Sequence, residues 1–381
     1  MEFGVFAQLF VPKFEREVDP NAEHKRIFRN VEIAKTADRS GFKYVWCPQH
    51  HFLDEYSHMP GPEAFLSFCA AQTERVHLGS AIFNITPPVN KPVRVAENVA
   101  LLDHLTGNRF EFGTGRGSSS TEVHGFGIET IDETKLMWRE TIREIPKMWR
   151  DGVYSYEGTY FSVPERQIFP KPNGPAHPAM WTAAGSPGTF TEAGELGLGA
   201  FCFSLGTPSK LSVLVENYKK AIVGATPVGQ YVNDNIMGVT NMVCMEDRQE
   251  AFEVASTMGM NYYSTLAYHW LDNVPRPKNF PEWPNKIPEP TPEQVEQLSA
   301  EGYAIIGDPD DCAKAIRRWE EVGFDQLTFS PTTNTLETQQ VVDSMELFGK
   351  EVVPQFDRDP EHSTTRYRRE AVAAAARAEV A

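Results

Sequence analysis

The stretch that decides the fold is VHLGSAIFNITPPVNKPVRVAENVALLDHLTGNRFEFGTGRG, residues 76–117. Residues 76–85 and 110–115 are short apolar segments typical of buried strands, and 92–106 has the apolar spacing of a helix. A strand, a helix and a second strand in this order form a parallel pair joined by a right-handed crossover. The stretch therefore predicts one βαβ unit of an α/β protein.

The same alternation runs through most of the 381 residues. Further strands are expected at 2–10, 43–48, 179–184, 199–205, 237–245 and 325–330. Further helices are expected at 22–40, 62–74, 132–150, 187–197, 208–222, 247–268, 308–323 and 336–352. An open doubly wound sheet and a closed barrel both fit this order, but eight strands without a repeated half favour a (β/α)8 TIM barrel.

Two segments interrupt the alternation. Residues 153–172 carry alternating aromatic residues around an EGT turn, which predicts an inserted hairpin. Residues 271–292 contain seven prolines, so this segment should be free of helix, and we expect a lid near 271–303. We assign residues 1–356 to a single barrel domain and 357–381 to a C-terminal tail that is either a peripheral helix or disordered.

Composition restricts the function. The formal net charge of −16 would repel nucleic acid and anionic membranes. The five cysteines are odd in number and have no C-x-x-C spacing, which fits a reducing compartment better than a disulfide framework. The first residues lack a basic signal region, and no apolar run approaches the ~20 residues that span a bilayer. We expect a cytoplasmic protein that binds neither nucleic acid nor membrane.

Two adjacent histidines follow the second predicted strand, in the sequence WCPQHHFLDEY at 46–56. Active sites of (β/α)8 barrels lie at the carboxyl ends of the strands, which is where His50 and His51 fall. Neighbouring side chains of an extended chain point apart, so one imidazole can face the barrel mouth while the other supports it. Such a pair chelates a metal poorly, and no metal site is expected.

Three other strand ends carry residues suited to an anion. Asn84 follows the third strand, and Arg116 lies in the glycine-rich turn after the fourth. After the fifth strand, the sequence TAAGSPGTF places Gly185, Ser186 and Thr189 at the start of a helix, where free N–H groups bind anions. Each loop alone could be a tight turn or an ordinary helix cap. Together they suggest the phosphate of a mononucleotide, although neither a Rossmann nor a P-loop spacing is present.

These residues resemble the bacterial luciferase-like flavin monooxygenases. The resemblance lies in VHLGSAIFN followed by PVRVAENVALLDHLTGNRFEFGTGRG, and in QHHF at 49–52, which is similar to the family's E-H-H-F with Gln49 replacing the glutamate. It runs from Met1 to about residue 350. It implies a (β/α)8 barrel, usually dimeric, that uses reduced FMN supplied by a separate NAD(P)H:flavin reductase.

The resemblance also implies roles for individual residues. The family's catalytic histidine matches His50, with His51 as its supporting neighbour, and its phosphate-binding arginine matches Arg116. Further flavin contacts, including a non-prolyl cis peptide beneath the flavin ring, would fall at Ala81, Ile82, Asn84, Gly185, Ser186 and Thr189. Gly115 and Gly185 stand where the light-emitting luciferase subunit has a cysteine and a glutamate, which puts bioluminescence in doubt.

The expected reaction is therefore the oxygenation of a small or medium apolar organic molecule by reduced FMN and O2, through a flavin C4a-peroxide. A dry, aromatic-lined pocket would protect that adduct. Candidates for the lining are Phe6, Phe10, Phe52, Tyr56, Phe65, Phe83 and Phe203. Hydroxylation, epoxidation and Baeyer–Villiger insertion stay open. Two alternatives also remain: an F420-dependent oxidoreductase on the same barrel, which the histidine pair argues against, and a non-catalytic flavin-binding partner subunit.

Overall fold

Eight parallel strands form a closed barrel in the computed structural model, which describes residues 1–203, 205–330 and 336–380. The described strands, in chain order, are β1 Glu2–Phe6, β2 Tyr44–Cys47, β3 His77–Ser80, β4 Phe83–Asn84, β5 Phe110–Gly115, β6 Tyr154–Glu157, β7 Ser162–Arg166, β8 Ala179–Ala184, β9 Gly199–Cys202, β10 Ile236–Cys244, β11 Ile305–Gly307 and β12 Gln326–Ser330. The barrel runs β1-β2-β3-β5-β8-β9-β10-β12, and β12 pairs back onto β1. The predicted (β/α)8 fold is confirmed.

Helices surround the barrel. In chain order they are α1 Lys13–Val18, α2 Ala22–Arg39, α3 Pro62–Ala70, α4 Pro92–Thr106, α5 Ser120–Gly125, α6 Ile131–Met148, α7 Pro187–Glu195, α8 Pro208–Ile222, α9 Arg248–Ser256, α10 Met260–Trp270, α11 Pro292–Ala300, α12 Pro309–Val322, α13 Thr338–Glu351, α14 Val353–Phe356 and α15 Ser363–Val380. Many begin with proline, whose fixed φ suits the first helical position. Within the described residues, no helix has the length and apolar character needed to cross a membrane.

The barrel interior is filled with aromatic rings. Trp46 lies edge-on to Trp181 with ring centroids 5.2 Å apart, and Trp181 stacks on Phe201 at 5.2 Å. Two glycines make room for the indoles: a Cβ at Gly79 would lie 2.2 Å from Trp46, and one at Gly199 would lie 2.3 Å from Trp181. Because this core is packed, a ligand has to bind above it, at the carboxyl ends of the strands.

Several predicted elements are divided in the structure. The strand expected at 76–85 is two strands, β3 and β4, separated by a cis peptide bond between Ala81 and Ile82. The helix expected at 247–268 is also two, α9 and α10, because the chain turns at Gly259 with φ of 69°. The strand expected at 199–205 ends at Cys202, and residue 204 lies outside the described residues.

Both insertions appear in the structure. The hairpin is confirmed, with β6 and β7 pairing antiparallel. The proline-rich segment predicted to be free of helix over 271–292 is so from 271 to 291, and α11 begins within the stretch 271–303 that we expect to form a lid. Thr291 accepts from the Gln294 backbone N–H, and Pro292 takes the first helical position, which together start α11. The short strand β11 then extends the sheet beside β10.

The C-terminal tail is a helix packed on the amino ends of the barrel strands. The Ser363 backbone N–H donates to Glu2 at 2.9 Å, and the Thr364 hydroxyl donates to Glu111 at 2.5 Å. Arg368 makes a bidentate ion pair with Asp103 at 2.7–2.8 Å. Of the two possibilities for residues 357–381, the described part is the helical one; residue 381 lies outside the described residues.

Candidate active site

His50 and His51 lie at the carboxyl end of β2 and share one carboxylate. His50 Nδ1 lies 3.1 Å from Glu122 Oε1, and the His51 backbone N–H donates to the same oxygen at 3.0 Å. Glu122 belongs to α5, and its side chain is only 4% exposed. Its other oxygen, Oε2, is buried with no hydrogen-bond partner among the described residues. The buried Glu122 carboxylate therefore binds both the His50 ring and the His51 backbone.

Gln49 connects the histidine loop to the segment after β3. Its Oε1 accepts from the Asn84 backbone N–H at 2.9 Å and from Asn90 Nδ2 at 3.1 Å. Its Nε2 lies 2.9 Å from His51 Nε2. Burial lowers the pKa of His51 from its ordinary value. Asn84, predicted as a flavin contact, thus meets Gln49 through its backbone, while its side-chain oxygen accepts from Thr86 at 2.7 Å.

The glycine-rich turn after β5 packs closely against the same region. A Cβ at Gly115 would lie 2.5 Å from the side chain of Ile82, and one at Gly117 would lie 3.3 Å from the Asn84 side chain. Gly117 also has φ of 82°, which favours glycine. The missing side chains therefore let the cis peptide segment and the turn meet at the barrel mouth.

Arg116 is half-buried beside the start of α6. Its Nη1 donates to the Ile131 carbonyl at 3.0 Å and to the Thr134 hydroxyl at 2.9 Å. Burial lowers the pKa of Arg116 from its ordinary value of 12.5, which leaves the group cationic near neutral pH. Because the guanidinium is held by neutral oxygens on one nitrogen, it can still offer donors to an anion.

The loop after β8 is open. Residues 185–188 are exposed, and a Cβ at Gly185 or Gly188 would meet nothing within 4 Å. The Thr189 hydroxyl accepts from the backbone N–H groups of Gly185 and Ser186 at 3.1 and 3.0 Å. This arrangement includes the ordinary helix cap expected of a Ser-Pro-Gly-Thr sequence. Because the Gly185 and Ser186 N–H groups are used in this cap and Pro187 has none, the exposed groups that could meet an anion here are the Gly188 N–H and the Ser186 hydroxyl.

An aromatic cluster from α10 covers the histidine loop. Tyr263 stacks on Tyr56 with centroids 5.2 Å apart, and Tyr56 lies edge-on to His50 at 5.2 Å. Burial raises the pKa of Tyr56 to about 12 and also raises that of Tyr263, so both phenols are neutral donors. Trp270 Nε1 donates to the Asp54 carbonyl at 3.0 Å. Aromatic rings therefore line one side of His50, whose side chain is 17% exposed.

The predicted aromatic lining falls into four groups. Phe6 and Phe203 belong to the barrel interior, and Phe10 and Tyr56 pack with α10. Phe52 is 58% exposed and lies against Phe126, with centroids 5.3 Å apart. The prediction was wrong for Phe65 and Phe83, because their rings pack in the core between the barrel and its helices.

Sequence reasoning missed three residues that shape this site, namely Glu122, Tyr263 and Trp270. Glu122 stands in the run SSSTEVHG, and Tyr263 and Trp270 stand in a helix predicted only as part of the outer layer. Neither run has a spacing that marks a site. Their proximity to the histidines results from the loop after β5 and the insertion after β10 crossing the same mouth.

Comparison with known proteins supports the assignment of the fold. The family model for luciferase-like monooxygenases matches residues 1–326. The 4-hydroxyprotoasukamycin monooxygenase of Streptomyces nodosus subsp. asukaensis is 26% identical and covers 96% of this chain and 95% of its own. The oxygenase component of a flavin-dependent trigonelline monooxygenase from Acinetobacter baylyi is 24% identical over 96% of this chain and 99% of its own.

An F420-dependent enzyme is also among the relatives. An F420-dependent glucose-6-phosphate dehydrogenase from Kineococcus radiotolerans is 25% identical over 78% of this chain and 86% of its own. Two solved structures share the fold. A Streptomyces bottropensis monooxygenase has a TM-score of 0.75 at 22% identity, covering 94% of this chain and 100% of that one. The oxygenating constituent of Pseudomonas putida 3,6-diketocamphane monooxygenase, solved with FMN, has a TM-score of 0.74 at 19% identity, covering 94% and 99%. This chain belongs to the luciferase-like monooxygenase family.

Proposed function

We propose that this chain is the oxygenase component of a two-component monooxygenase, which uses reduced FMN and O2 to oxygenate a small or medium apolar organic molecule. The observation that carries the proposal is the placement of His50 at the barrel mouth, with Glu122 behind it and the aromatic residues of α10 over it. The reaction would consume reduced FMN, O2 and substrate, and release oxidised FMN, water and a product with one added oxygen atom.

The residues at the mouth fit an FMN molecule lying across it. The phosphate would bind between the Arg116 guanidinium and the exposed start of α7, where Ser186, Gly188 and Thr189 would supply donors. The ring would lie over the Ala81–Ile82 segment, near Asn84 and the histidines. Bound reduced FMN supplies the electrons that activate O2.

Within this arrangement, the protein's own groups move protons and exclude water. His50 would act as the general acid or base toward the substrate or the reduced oxygen, because it is the imidazole with a carboxylate partner. The rings of Tyr56 and Tyr263 would keep bulk water away from that proton transfer. The aromatic surroundings suit an apolar substrate better than a charged one.

Two further features belong to the proposal. One relative is named as an oxygenase component, which favours a separate NAD(P)H:flavin reductase as the source of reduced FMN. A homodimer remains a prediction, and light scattering on the purified chain would measure it. F420-dependent hydride transfer is the second candidate, favoured by the F420-dependent relative; the named monooxygenases cover more of the chain, 96% against 78%.

The test is an anaerobic titration with reduced FMN, and separately with reduced F420, followed by rapid mixing with O2. We expect saturable binding of reduced FMN and a transient absorbing species after O2 is added. His50→Ala should bind reduced FMN normally but lose product formation. Arg116→Ala should bind reduced FMN about 10- to 100-fold more weakly, since a hydrogen bond to a charged group contributes ~1.5–3 kcal/mol. Tight binding of F420 without binding of FMN would overturn the oxygenase assignment.

A further inference from the structure

The two adjacent histidines have hydrogen-bond partners of opposite kinds. His50 faces a carboxylate, whereas His51 faces the amide of Gln49. We propose that Glu122 makes His50 the proton-transferring imidazole, while Gln49 holds His51 neutral with its proton on Nδ1. The catalytic meaning of this division rests on the proposed function, but the protonation states themselves do not.

The orientation of the Gln49 amide follows from its neighbours. A backbone N–H can only donate, so the Gln49 atom 2.9 Å from the Asn84 backbone nitrogen has to be the acceptor oxygen. The Asn90 side-chain nitrogen donates to that oxygen as well, at 3.1 Å. The Gln49 NH2 group therefore faces His51 Nε2, 2.9 Å away.

This contact determines the state of His51. Because the Gln49 NH2 group can only donate, His51 Nε2 has to accept and cannot carry a proton. The remaining ring proton then lies on Nδ1, and the imidazole is neutral. The environment agrees, because burial lowers the pKa of His51 from its ordinary value. The Phe126 ring, edge-on at 4.8 Å, adds an apolar neighbour.

His50 has the opposite environment. Glu122 Oε1 accepts from the His50 ring at Nδ1, which leaves Nε2 as the nitrogen that can bind or release a proton. The Glu122 carboxylate stabilises the imidazolium when Nε2 is protonated. The other titratable groups around the pair are Tyr56 on the same loop, Tyr263 on α10, and Glu63 on α3. Both phenols are neutral, so Glu122 is the charge nearest the pair.

Glu122 is thus a positioning residue that acts through His50. It also holds the backbone of His51 through the 3.0 Å bond from that residue's N–H group. Two adjacent imidazoliums would repel each other, and keeping His51 neutral removes that repulsion when His50 is charged. The two adjacent histidines then have different roles. His50 takes the proton, and His51 holds the histidine loop in place through its hydrogen bond to Gln49, which in turn binds Asn84.

The experiment is long-range 1H–15N correlation NMR on 15N-histidine-labelled protein between pH 5.5 and 8, without flavin. His50→Gln and His51→Gln proteins assign the signals. We expect neutral wild-type His51 to show one tautomer, protonated on Nδ1, and His50 to keep a proton on Nδ1, where it faces Glu122. Protonation of His51 on Nε2 in the wild type, or a neutral His50 protonated on Nε2, would overturn the proposal.

Two isosteric substitutions test the partners in opposite directions. Glu122→Gln should weaken the preference of the His50 ring proton for Nδ1 and slow product formation at least 10-fold, with unchanged affinity for reduced FMN. Gln49→Glu should protonate His51 on Nε2 at a pH where the wild type is neutral. Glu129→Gln and Gln72→Glu, both at exposed positions, are the matched controls. Unchanged histidine signals in Glu122→Gln and Gln49→Glu would contradict the assigned partners. Absence of oxygenase activity in the wild type would contradict the proposed function but not the assigned protonation states, because the NMR measurement needs no cofactor.

Discussion

The glycine-rich turn can pack closely against the segment after β3 because Gly115 has no side chain. A Cβ at Gly115 would lie 2.5 Å from Ile82 Cγ1 and 2.7 Å from Ile82 Cδ1, both closer than carbon atoms approach in folded proteins. The side chain of Ile82 therefore fills the space that a side chain at Gly115 would need.

We predict that Gly115→Ala destabilises the protein. The new methyl group has to displace Ile82 inside a packed region, and overpacking of this kind costs about 1–3 kcal/mol. Thermal unfolding followed by circular dichroism should show a melting temperature several degrees below that of the wild type. Gly224→Ala is the control, because a Cβ there meets nothing within 4 Å. Equal melting temperatures for the two variants would show that the Ile82 segment yields without cost.

At the scale of elements, α10 and the segment after it contact the loops after β2 and β5, which carry His50 and Glu122. Helix α10 packs Tyr262 and Leu266 on the loop after β2. The Asp272 backbone N–H then donates to the Ser118 carbonyl at 3.2 Å, and its carboxylate accepts from the Ser120 backbone N–H, both after β5. Asp272 lies in the segment predicted to form a lid, residues 271–303, whereas α10 was predicted as part of the outer helical layer. The lid stays a prediction, and these contacts favour it.

Removing one of the hydrogen bonds that hold this region should make the lid more mobile. Trp270→Phe keeps an aromatic ring but loses the 3.0 Å bond to the Asp54 carbonyl, and a hydrogen bond of this type contributes ~0.5–1.5 kcal/mol. We expect hydrogen peroxide release per turnover to rise roughly 2- to 12-fold as water reaches the site, with little change in flavin affinity. Tyr268→Phe on the same helix is the control. If peroxide release rises equally in both variants, the Trp270 bond does not govern closure.

At the scale of the whole molecule, the C-terminal helix completes a buried polar cluster at the closed end of the barrel. Glu111 accepts from Trp181 Nε1 at 2.7 Å and lies 2.7 Å from His77 Nδ1. His362 stacks on His77 with centroids 3.8 Å apart. Burial raises the pKa of Glu111 to about 8 and lowers those of His77 and His362 to about 3. The tail therefore belongs to the folded core.

This cluster makes stability depend on pH in both directions. From about pH 6.5 to 8, folded Glu111 keeps a proton that the unfolded chain has lost, so the free energy of unfolding falls as pH rises, by about 2 kcal/mol in total. Below pH 6.5, unfolded His77 and His362 bind protons that the folded forms exclude, so stability also falls as pH drops. Down to about pH 4.5, Glu111 offsets one of these two protons. In the folded state His77 and Glu111 share one proton, so the number of bound protons includes it once, whichever of the two residues holds it.

We predict that urea unfolding shows maximal stability near pH 6.5, and that Glu111→Gln abolishes the decline between pH 6.5 and 8. Glutamine keeps the shape of the side chain but has no proton to lose. Glu74→Gln, at an exposed position, should retain the wild-type profile. A Glu111→Gln profile that still declines over this range would place the titrating group elsewhere.

The sequence by itself determined the order of strands and helices, because apolar periodicity and proline or glycine punctuation are local properties. It also located His50, His51, Asn84, Arg116 and Ser186 at strand ends, since parallel strands bring their carboxyl ends to one face. Only the tertiary structure decided what each of them touches. Glu122, Tyr263 and Gln49 acquire their contacts from loops that are far apart in sequence or carry no periodic pattern. The packing of the closed barrel brings those loops together, and that packing depends on the whole chain.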